Sequence, residues 1–244
     1  GIRAVSDWER KGLIKKRVNP RLITVIKNGL EKEAFMDVTI HTSLETQKGV
    51  EKFGRYFIEV GRIHPIKNQL TAIKALSFLP NDIKFIIVGP VADIKYLAKL
   101  KSTITNLNLG DRVIFYGVAN GFDKYYLIRN AFAMVHMALH EAYCNAVNEG
   151  LSQGIPCIVS KNTALEELVK NEVNGYLLSK DDYQGIANRL NIIVNSSNNS
   201  LLKKIKEENL ESTRVQSWES VAHHMESFYT QVLSGSFSQN QYIS

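Results

Sequence analysis

From residue 55 onward the chain alternates short apolar runs with segments of helical periodicity, and this alternation most constrains how its 244 residues can fold. The apolar runs have the length of strands and lie at residues 56–60, 85–88, 113–116, 132–135 and 157–159. Between them, apolar residues recur at helical spacing over residues 70–79, 94–104 and 164–169. Buried strands that alternate with helices favour a parallel sheet covered on both faces. The sequence therefore predicts a doubly wound, Rossmann-like α/β domain.

The N-terminal part of the chain predicts one helix, one short strand and one turn. Residues 6–18 have the pattern of a helix in which Ser6 is the cap and Glu9 completes a capping box. Residues 22–26 are rich in residue types that favour strands. That run ends at Asn28-Gly29, a turn dipeptide whose glycine tolerates a positive φ.

The remaining segments are less regular. Residues 30–52 are charged and polar throughout, and we expect a connector without regular secondary structure. Residues 175–178 predict a last strand and residues 182–194 a helix, followed by a polar break at 195–200 and two more helical segments. One face of the last helix carries Trp218, Val221, Met225, Phe228, Tyr229 and Val232. We expect that helix to pack against another part of the protein, and we expect the Ser-rich tail to fray.

Composition excludes several classes of protein. Apolar residues make up 44% of the chain, which is enough for a hydrophobic core. No run of about 18 apolar residues is present and the first residues lack a signal-peptide segment, so we expect no membrane span and a cytoplasmic protein. The two cysteines, Cys144 and Cys157, form no C-x-x-C motif and are expected to be reduced thiols.

The charge balance favours polyanionic partners. The net charge is +6 and the pI is about 9.2. Basic residues cluster only at 15–17 and 203–204, and no basic stripe is interleaved with aromatic residues. We therefore expect a phosphate-bearing ligand and no nucleic acid, and we leave peripheral association with an anionic membrane surface open.

One stretch combines the end of a predicted strand with two carboxylates. The apolar run that ends at Leu139 is followed by a loop with Glu141 and by a predicted helix with Glu149. At 3.6 residues per turn, Glu149 lies about two turns along that helix. Both acids can therefore line the crevice at the edge of the sheet, where the first amides of the helix also point.

Several motifs occur in the order found in one enzyme family. They are Asn28-Gly29-Leu30, Val60-Gly61-Arg62 with Lys67, the pair Glu141 and Glu149, Ile155-Pro156 through Ser160, Glu167-Leu168-Val169 and Asn174-Gly175-Tyr176-Leu177. Together they resemble family 4 retaining glycosyltransferases, whose GT-B architecture consists of two facing Rossmann-like domains. The resemblance covers roughly residues 23–178. It implies the C-terminal, donor-binding domain, with the acceptor-binding half missing from this chain.

The resemblance divides the chain into four parts. They are residues 1–22, an N-terminal helix and linker from the missing acceptor domain; 23–198, the nucleotide-sugar-binding domain; 199–233, C-terminal helices; and 234–244, a disordered tail. The last helix, which in the family crosses back to brace the other half, would then expose an apolar face.

The resemblance also implies roles for four charged residues. Arg62 and Lys67 would hold the diphosphate of a nucleotide sugar, Arg62 with two forked N–H groups and Lys67 as a point charge. Glu149 would accept hydrogen bonds from the ribose hydroxyls. Glu141 would lie near the transferred sugar as the catalytic residue. The competing interpretation is that these are ordinary solvated or salt-bridged charges.

Six further residues complete the expected donor site: Gly61, Val118, Tyr143, Cys144, Asn145 and Thr163. Backbone amides from Tyr143 onward would add the positive end of a helix dipole. The loop with Val118 would offer backbone groups to the base of the nucleotide. The alternative, that this loop only connects a strand to a helix, accounts for the sequence equally well. Thr163 would approach the diphosphate or sugar, and a helix-capping role explains it equally well.

Two positions in the loop after Glu141 depart from the family pattern. Ala142 and Cys144 stand where glycines usually let the donor approach the backbone, which narrows the site and leaves the sugar open. A nucleophilic Cys144 would need a base, and the sequence identifies none. No Asp-x-Asp or histidine cluster indicates a metal, so we expect neither a metal nor a cofactor.

Three functions compete at this point. The first is the donor-binding domain of a retaining glycosyltransferase, which would bind a nucleotide-diphosphate sugar but be inactive alone. The second is a non-catalytic nucleotide-binding or regulatory Rossmann-like module. The third, a dinucleotide-dependent oxidoreductase, is disfavoured because no G-x-G-x-x-G motif follows a strand.

Overall fold

The structure is a computed structural model that describes residues 1–195 and 200–234. Strands β1 (Ile2–Ala4) and β2 (Ile23–Val25) form a separate two-stranded parallel sheet. The main sheet consists of β3 (Tyr56–Val60), β4 (Lys84–Val88), β5 (Val113–Gly117), β6 (Ala133–His136), β7 (Cys157–Ser160) and β8 (Gly175–Leu178). All six strands are parallel, in the spatial order β5-β4-β3-β6-β7-β8. The predicted doubly wound fold is confirmed.

Strand order indicates one defined position at which a ligand can bind. β3 pairs with β4 on one side and with β6 on the other, so the order of the strands reverses between β3 and β6. The loops at the carboxyl ends of these two strands diverge, and ligands of open α/β sheets bind between them. The loops that follow β3 and β6 are therefore the place to look for a site.

The helices in the described residues are α1 (Asp7–Lys15), α2 (Val38–His41), α3 (Leu44–Phe53), α4 (Gln69–Leu76), α5 (Ile94–Asn106), α6 (Gly121–Arg129), α7 (Asn145–Ser152), α8 (Tyr183–Asn195), α9 (Ser200–Thr213) and α10 (Trp218–Leu233). The predicted capping box at the first helix is present. Ser6 accepts a hydrogen bond from the Glu9 amide at 3.0 Å, and Glu9 accepts one from the Val5 amide at 2.7 Å. The predicted helix 164–169 is a short 3-10 helix, Ala164–Glu167.

The core is divided between the two faces of the main sheet. Phe57 packs with α4, α5 and α8, and its ring stacks on Phe85 with centroids 4.6 Å apart. Tyr56 and Ile58 point to the opposite face and pack with α6 and α7. This division follows from the alternation of side chains along a strand. Helices on both faces hold the strand ends, and hence the loops, in place.

The prediction of an irregular connector at residues 30–52 was wrong. A 3-10 helix (Lys32–Phe35) precedes α2 and α3 in this segment. Each element has at most ten residues, so the apolar periodicity has little length over which to show. Local caps and a small core stabilise them instead: Ser43 caps α3, and Val38 packs with Leu30 against Tyr125.

The reason for glycine at position 29 also differs from the prediction. Gly29 is absent from the residues with positive φ in the described part of the chain. A Cβ atom at Gly29 would instead lie 2.6 Å from the backbone of Trp218. The neighbouring Leu30 amide donates to the Gln216 carbonyl, and the Leu30 carbonyl accepts from the Trp218 amide, so the two segments run against each other. Glycine is required here for close approach of two backbones.

The C-terminal helices lie where the sequence predicted them. Val221 and Phe228 of α10 are buried against Ile26, whereas Trp218 and Tyr229 are 43% and 54% exposed. Part of the apolar face therefore packs on this chain and part is uncovered. Most of the predicted polar break and the predicted tail lie outside the described residues, at 196–199 and 235–244. None of the described helices is long and apolar enough to cross a membrane.

Candidate functional site

The loops after β3 and β6 bring two of the predicted site residues together. Lys67 ends the 3-10 helix Pro65–Lys67, and Glu141 lies in the loop that leads to α7. The Lys67 ammonium donates a hydrogen bond to Glu141 Oε1. Their side chains are only 18% and 12% exposed, so water weakens this ion pair less than it would a surface pair.

A buried histidine extends this ion pair into the sheet. His136, the last residue of β6, places Nε2 2.9 Å from Glu141 Oε1. On its other side, His136 Nδ1 lies 3.7 Å from Oε1 of Glu59 on β3. Both of these atoms are buried, and neither has a hydrogen-bond partner among the described residues. The switch point thus carries a continuous polar row, which consists of Glu59, His136, Glu141 and Lys67.

Mutual contacts shift the protonation of this row. Burial alone would raise the pKa of Glu141, but His136 and Lys67 outweigh burial and lower that pKa to about 2. Burial alone would lower the pKa of His136, but Cys144 and Glu141 outweigh it and raise that pKa to about 10. At neutral pH the row therefore holds an ionised Glu141 between two cationic groups.

The Glu59 carboxyl behaves differently from Glu141. It is wholly buried, and loss of hydration raises its pKa to about 7. The 3.7 Å separation from His136 is too long for a hydrogen bond that would stabilise the carboxylate. Near neutral pH this group is therefore close to its midpoint of ionisation.

Cys144 occupies a backbone conformation that favours glycine. Its φ is 97° and its ψ is 88°, and its side chain is buried directly before α7. The family resemblance implied a glycine at this place, and the backbone geometry accounts for that expectation. Cys144 Sγ lies 3.4 Å from His136 Nε2, so a histidine adjoins the thiol although sequence reasoning identified no partner for it.

The start of α7 faces the same loops. No described residue accepts a hydrogen bond from the backbone amides of residues 145–147, so they are available to an anion. The Asn145 side chain accepts a hydrogen bond from Asn28 at 2.9 Å. The buried Tyr143 hydroxyl donates to the Asn28 carbonyl at 3.2 Å. These contacts fix the loop before α7 against the segment after β2.

Glu149 forms a second carboxylate–lysine pair. Its Oε1 accepts a hydrogen bond from Lys124 of α6 at 2.9 Å, and both side chains are almost buried. Burial raises the pKa of Glu149, and Lys124 opposes that rise. Glu149 Oε2 makes no hydrogen bond within the described residues. No hydrogen bond or ion pair in that part of the chain joins this pair to Lys67 and Glu141.

Arg62 and Gly61 lie at the carboxyl end of β3. The Arg62 side chain is exposed and has no hydrogen bond or ion pair with any described residue. The Gly61 amide donates to the Val88 carbonyl at 2.8 Å. A Cβ atom at Gly89, whose φ is 147°, would lie 2.2 Å from the Gly61 carbonyl oxygen. Glycine at 89 thus allows the loops after β3 and β4 to meet.

The two remaining predicted residues lie at other strand ends. Val118 follows β5 and is 59% exposed. Thr163 is buried after β7, where its hydroxyl donates to the Ser160 carbonyl at 3.1 Å and accepts from the Leu165 amide at 3.2 Å. Thr163 therefore caps the 3-10 helix that follows, which is the alternative role considered from the sequence.

Comparison with known proteins identifies the family. The family described as glycosyl transferases group 1 matches residues 42–211, which is most of the chain. The chain belongs to this family. Among curated relatives of this group 1 member, a UDP-Gal:alpha-D-GlcNAc-diphosphoundecaprenol alpha-1,3-galactosyltransferase of Escherichia coli is 31% identical over 182 residues, or 71% of this chain and 45% of that protein. An N-acetyl-alpha-D-glucosaminyl L-malate synthase of Bacillus anthracis is 22% identical over 150 residues, or 61% of this chain and 38% of that protein.

Solved structures have the same fold as this group 1 glycosyltransferase chain. A glycosyltransferase from Rickettsia africae superimposes with a TM-score of 0.84 at 20% identity. The match covers 95% of this chain and 63% of the Rickettsia chain. The Anabaena HepE protein, solved in complex with UDP-glucose, has a TM-score of 0.80 at 23% identity. That match covers 94% of this chain and 63% of the HepE chain. The chain spans less than half the length of these curated relatives and under two thirds of these structures.

Three residues of the candidate site were missed by sequence reasoning. Glu59 lies inside the apolar run of β3, where a buried acid is itself an unusual signal. His136 is the last residue of β6 and lies inside the apolar run that ends at Leu139, where the sequence does not indicate its polar partners. Lys124 lies on α6, a helix that the sequence analysis did not identify.

Proposed function

We propose that this chain is the donor-binding half of a retaining glycosyltransferase of family 4 and that it binds a nucleotide-diphosphate sugar. The observation that carries the proposal is the Lys67–Glu141 pair at the switch point, next to amides of α7 that no described residue uses. The E. coli relative is named for UDP-Gal, and the HepE structure contains UDP-glucose. Both names support a UDP-sugar as the first ligand to test.

Cationic groups near the switch point suit a diphosphate. Arg62 is exposed and free of partners in the described chain, so its guanidinium can bind phosphate oxygens through two N–H groups. The amides of residues 145–147 add the positive end of a helix. Negative charge grows on the diphosphate as the sugar leaves, and these groups stabilise it.

Lys67 takes a different position when the donor binds. In the free protein its ammonium neutralises Glu141. A diphosphate carries more negative charge than one carboxylate, so Lys67 shifts part of its hydrogen bonding to the phosphate. Glu141 then remains ionised, because its lowered pKa of about 2 also depends on His136.

An ionised Glu141 suits the sugar side of the reaction. Departure of the nucleotide leaves an oxocarbenium-like sugar with developing positive charge. A carboxylate fixed by His136 can stabilise that charge or bind the sugar hydroxyls without reorganising. Retention of configuration further requires attack of the acceptor on the face that the nucleotide leaves.

Glu149 suits the nucleoside side of the donor. Oε1 is occupied by Lys124, whereas Oε2 is available as an acceptor for a ribose hydroxyl. Lys124 also favours the ionised carboxylate, which is the better acceptor, although burial favours the neutral acid. We assign the acceptor substrate to a second, N-terminal half of the kind that the longer relatives have room for.

Calorimetric titration of this chain with UDP-glucose, UDP-galactose, GDP-mannose and ADP-glucose tests the proposal. We expect one of them to bind, and Arg62→Ala to weaken binding by about tenfold. The matched control is Arg55→Ala, since Arg55 pairs with the exposed Asp82 away from the site. No binding, or equal binding by Arg62→Ala, contradicts the proposal. Equal affinity for UDP and UDP-sugars would favour a nucleotide-binding module instead.

A further inference from the structure

Three side chains of different chemistry converge next to the Lys67–Glu141 pair. His136 Nε2, Glu141 Oε1 and Cys144 Sγ all lie within 4.8 Å of one another. His136 Nε2 is 2.9 Å from Glu141 Oε1 and 3.4 Å from Cys144 Sγ. His136 and Cys144 are buried, and Glu141 is largely buried. The cluster is thus sheltered from water on most sides.

We propose that His136, Glu141 and Cys144 bind a thiophilic divalent cation, with zinc as the best fit. Zinc binds thiolate, imidazole and carboxylate ligands. Its catalytic sites have three protein ligands, and a water molecule or substrate occupies the fourth coordination position. Zn–ligand bonds of about 2.0–2.3 Å in a tetrahedron place ligand atoms roughly 3.3–3.8 Å apart. The Cys144–His136 separation of 3.4 Å falls in that range, and the His136–Glu141 pair needs to open by about half an ångström.

Glu59 supplies an independent observation that points to a ligand on His136. Metal-binding histidines commonly direct the second ring nitrogen at a carboxylate, which fixes the tautomer and the orientation of the ring. His136 Nδ1 faces Glu59 Oε1 at 3.7 Å, and both buried atoms lack a hydrogen-bond partner in the described residues. A cation on Nε2 requires the proton on Nδ1, where Glu59 can accept it.

Lys67 competes with the cation for Glu141. Its ammonium donates to Glu141 Oε1, the same atom that belongs to the cluster. Cation binding therefore displaces Lys67, and two protons pass to solvent, one from the Cys144 thiol and one from Nε2 of the cationic His136, as the sulfur and that nitrogen become ligands. Removal of the lysine charge must tighten cation binding, whereas removal of a ligand must weaken it. This inference does not depend on the proposed sugar-donor function.

Sequence spacing could not indicate such a site. The ligands stand at positions 136, 141 and 144, a spacing that matches no common metal motif, and Glu59 lies far away in the chain. The earlier expectation of no metal was based on that absence of a motif. The parallel pairing of β3 with β6 assembles the cluster.

Titration of the tag-free, chelator-treated chain with cobalt(II), followed by displacement with zinc, tests the proposal. We expect one cobalt per chain and a near-ultraviolet thiolate-to-cobalt band, which zinc abolishes. Cys144→Ser should lose the band, and the control Cys157→Ala, which changes a thiol buried elsewhere in the core, should keep it. Circular dichroism verifies that each variant is folded.

Affinity measurements on further variants keep the test independent of any one substitution. His136→Asn should weaken zinc binding more than tenfold, whereas the control His140→Asn removes an exposed histidine and should not. Glu59→Gln should weaken it about 10- to 100-fold, and Lys67→Met should strengthen it. No thiolate band in the folded wild type, a band that survives Cys144→Ser, or weaker binding by Lys67→Met overturns the proposal. UDP-sugar binding is measured separately, so failure of either proposal is recognised by itself.

Discussion

Lys67 and Glu141 are 74 residues apart in the chain and form a largely buried ion pair between the loops that follow β3 and β6. The pair exists because the sheet places those two strands side by side at its switch point. It joins a positive group suited to phosphate to a negative group suited to a sugar. The predictions below follow from this arrangement and from the groups around it.

Loss of the Glu141 charge should change acid stability. The pKa of Glu141 falls from an ordinary 4.5 to about 2 on folding, so its contribution is present above about pH 4.5 and is lost as the pH falls toward 2. The shift corresponds to about 3 kcal/mol. Urea unfolding of wild type and Glu141→Gln should differ most at pH 6, and the difference should shrink as the pH falls through 4 to 3. A constant difference would contradict the assignment.

Glu59 should have the opposite pH dependence. Burial raises its pKa from 4.5 to about 7, so the folded state retains a proton that the unfolded state releases above about pH 4.5. Wild type should lose roughly 3 kcal/mol of unfolding free energy, relative to Glu59→Gln, as the pH rises from about 4 to 8. The control is Glu51→Gln, since Glu51 is exposed on α3. Parallel pH curves for wild type and Glu59→Gln would contradict the prediction.

Glu149 should recognise the ribose, and a double-mutant cycle can isolate that contact. We expect Glu149→Gln to weaken UDP-glucose binding about tenfold, because a hydrogen bond to a charged group contributes about 1.5–3 kcal/mol. Wild type should bind the 2′-deoxyribose analogue more weakly than UDP-glucose. Glu149→Gln should bind the analogue and UDP-glucose with about the same affinity. Additive losses in calorimetry would show that the carboxylate does not contact the ribose. Glu172→Gln, at an exposed glutamate, is the control.

The backbone at Cys144 gives a prediction about stability alone. Replacing cysteine with alanine keeps a side chain at φ 97°, whereas glycine removes the strain, which typically costs about 1–3 kcal/mol. Cys144→Gly should therefore be more stable to urea than Cys144→Ala by about 1 kcal/mol. Within a regular helix the order is the reverse, so the pair Glu51→Gly and Glu51→Ala, at an exposed position of α3, provides a control. Equal or lower stability of Cys144→Gly would contradict the strain.

The sequence predicted the main sheet because each of its strands is a short buried run between turn signals. β3 to β8 begin and end within about one residue of the predicted runs, because burial on both faces leaves a continuous apolar segment. α6 was missed because four consecutive apolar residues, Tyr125 to Ile128, obscure the helical spacing of Phe122 with Tyr125 and Tyr126. α6 is stabilised by its packing against the sheet, and a local sequence pattern does not show such tertiary contacts.

The candidate site was partly predictable in the same way. Glu141 could be placed at the crevice because it follows a predicted strand at the carboxyl edge, and Lys67 could be placed there from the family resemblance. The partners of the two glutamates could not be predicted. Lys124 reaches Glu149 only through the position of α6, and His136 meets Glu59 only through the pairing of β3 with β6. Such contacts depend on register and packing, which apolar periodicity does not contain.

The most direct test of the account is the affinity of this chain for its preferred nucleotide sugar before and after Lys67→Met. This substitution keeps most of the length of the side chain and removes its charge and its hydrogen bond to Glu141. If Lys67 binds the diphosphate, calorimetry should show affinity reduced by about 10- to 100-fold in a folded variant. Unchanged or tighter binding of the nucleotide sugar would contradict the central claim.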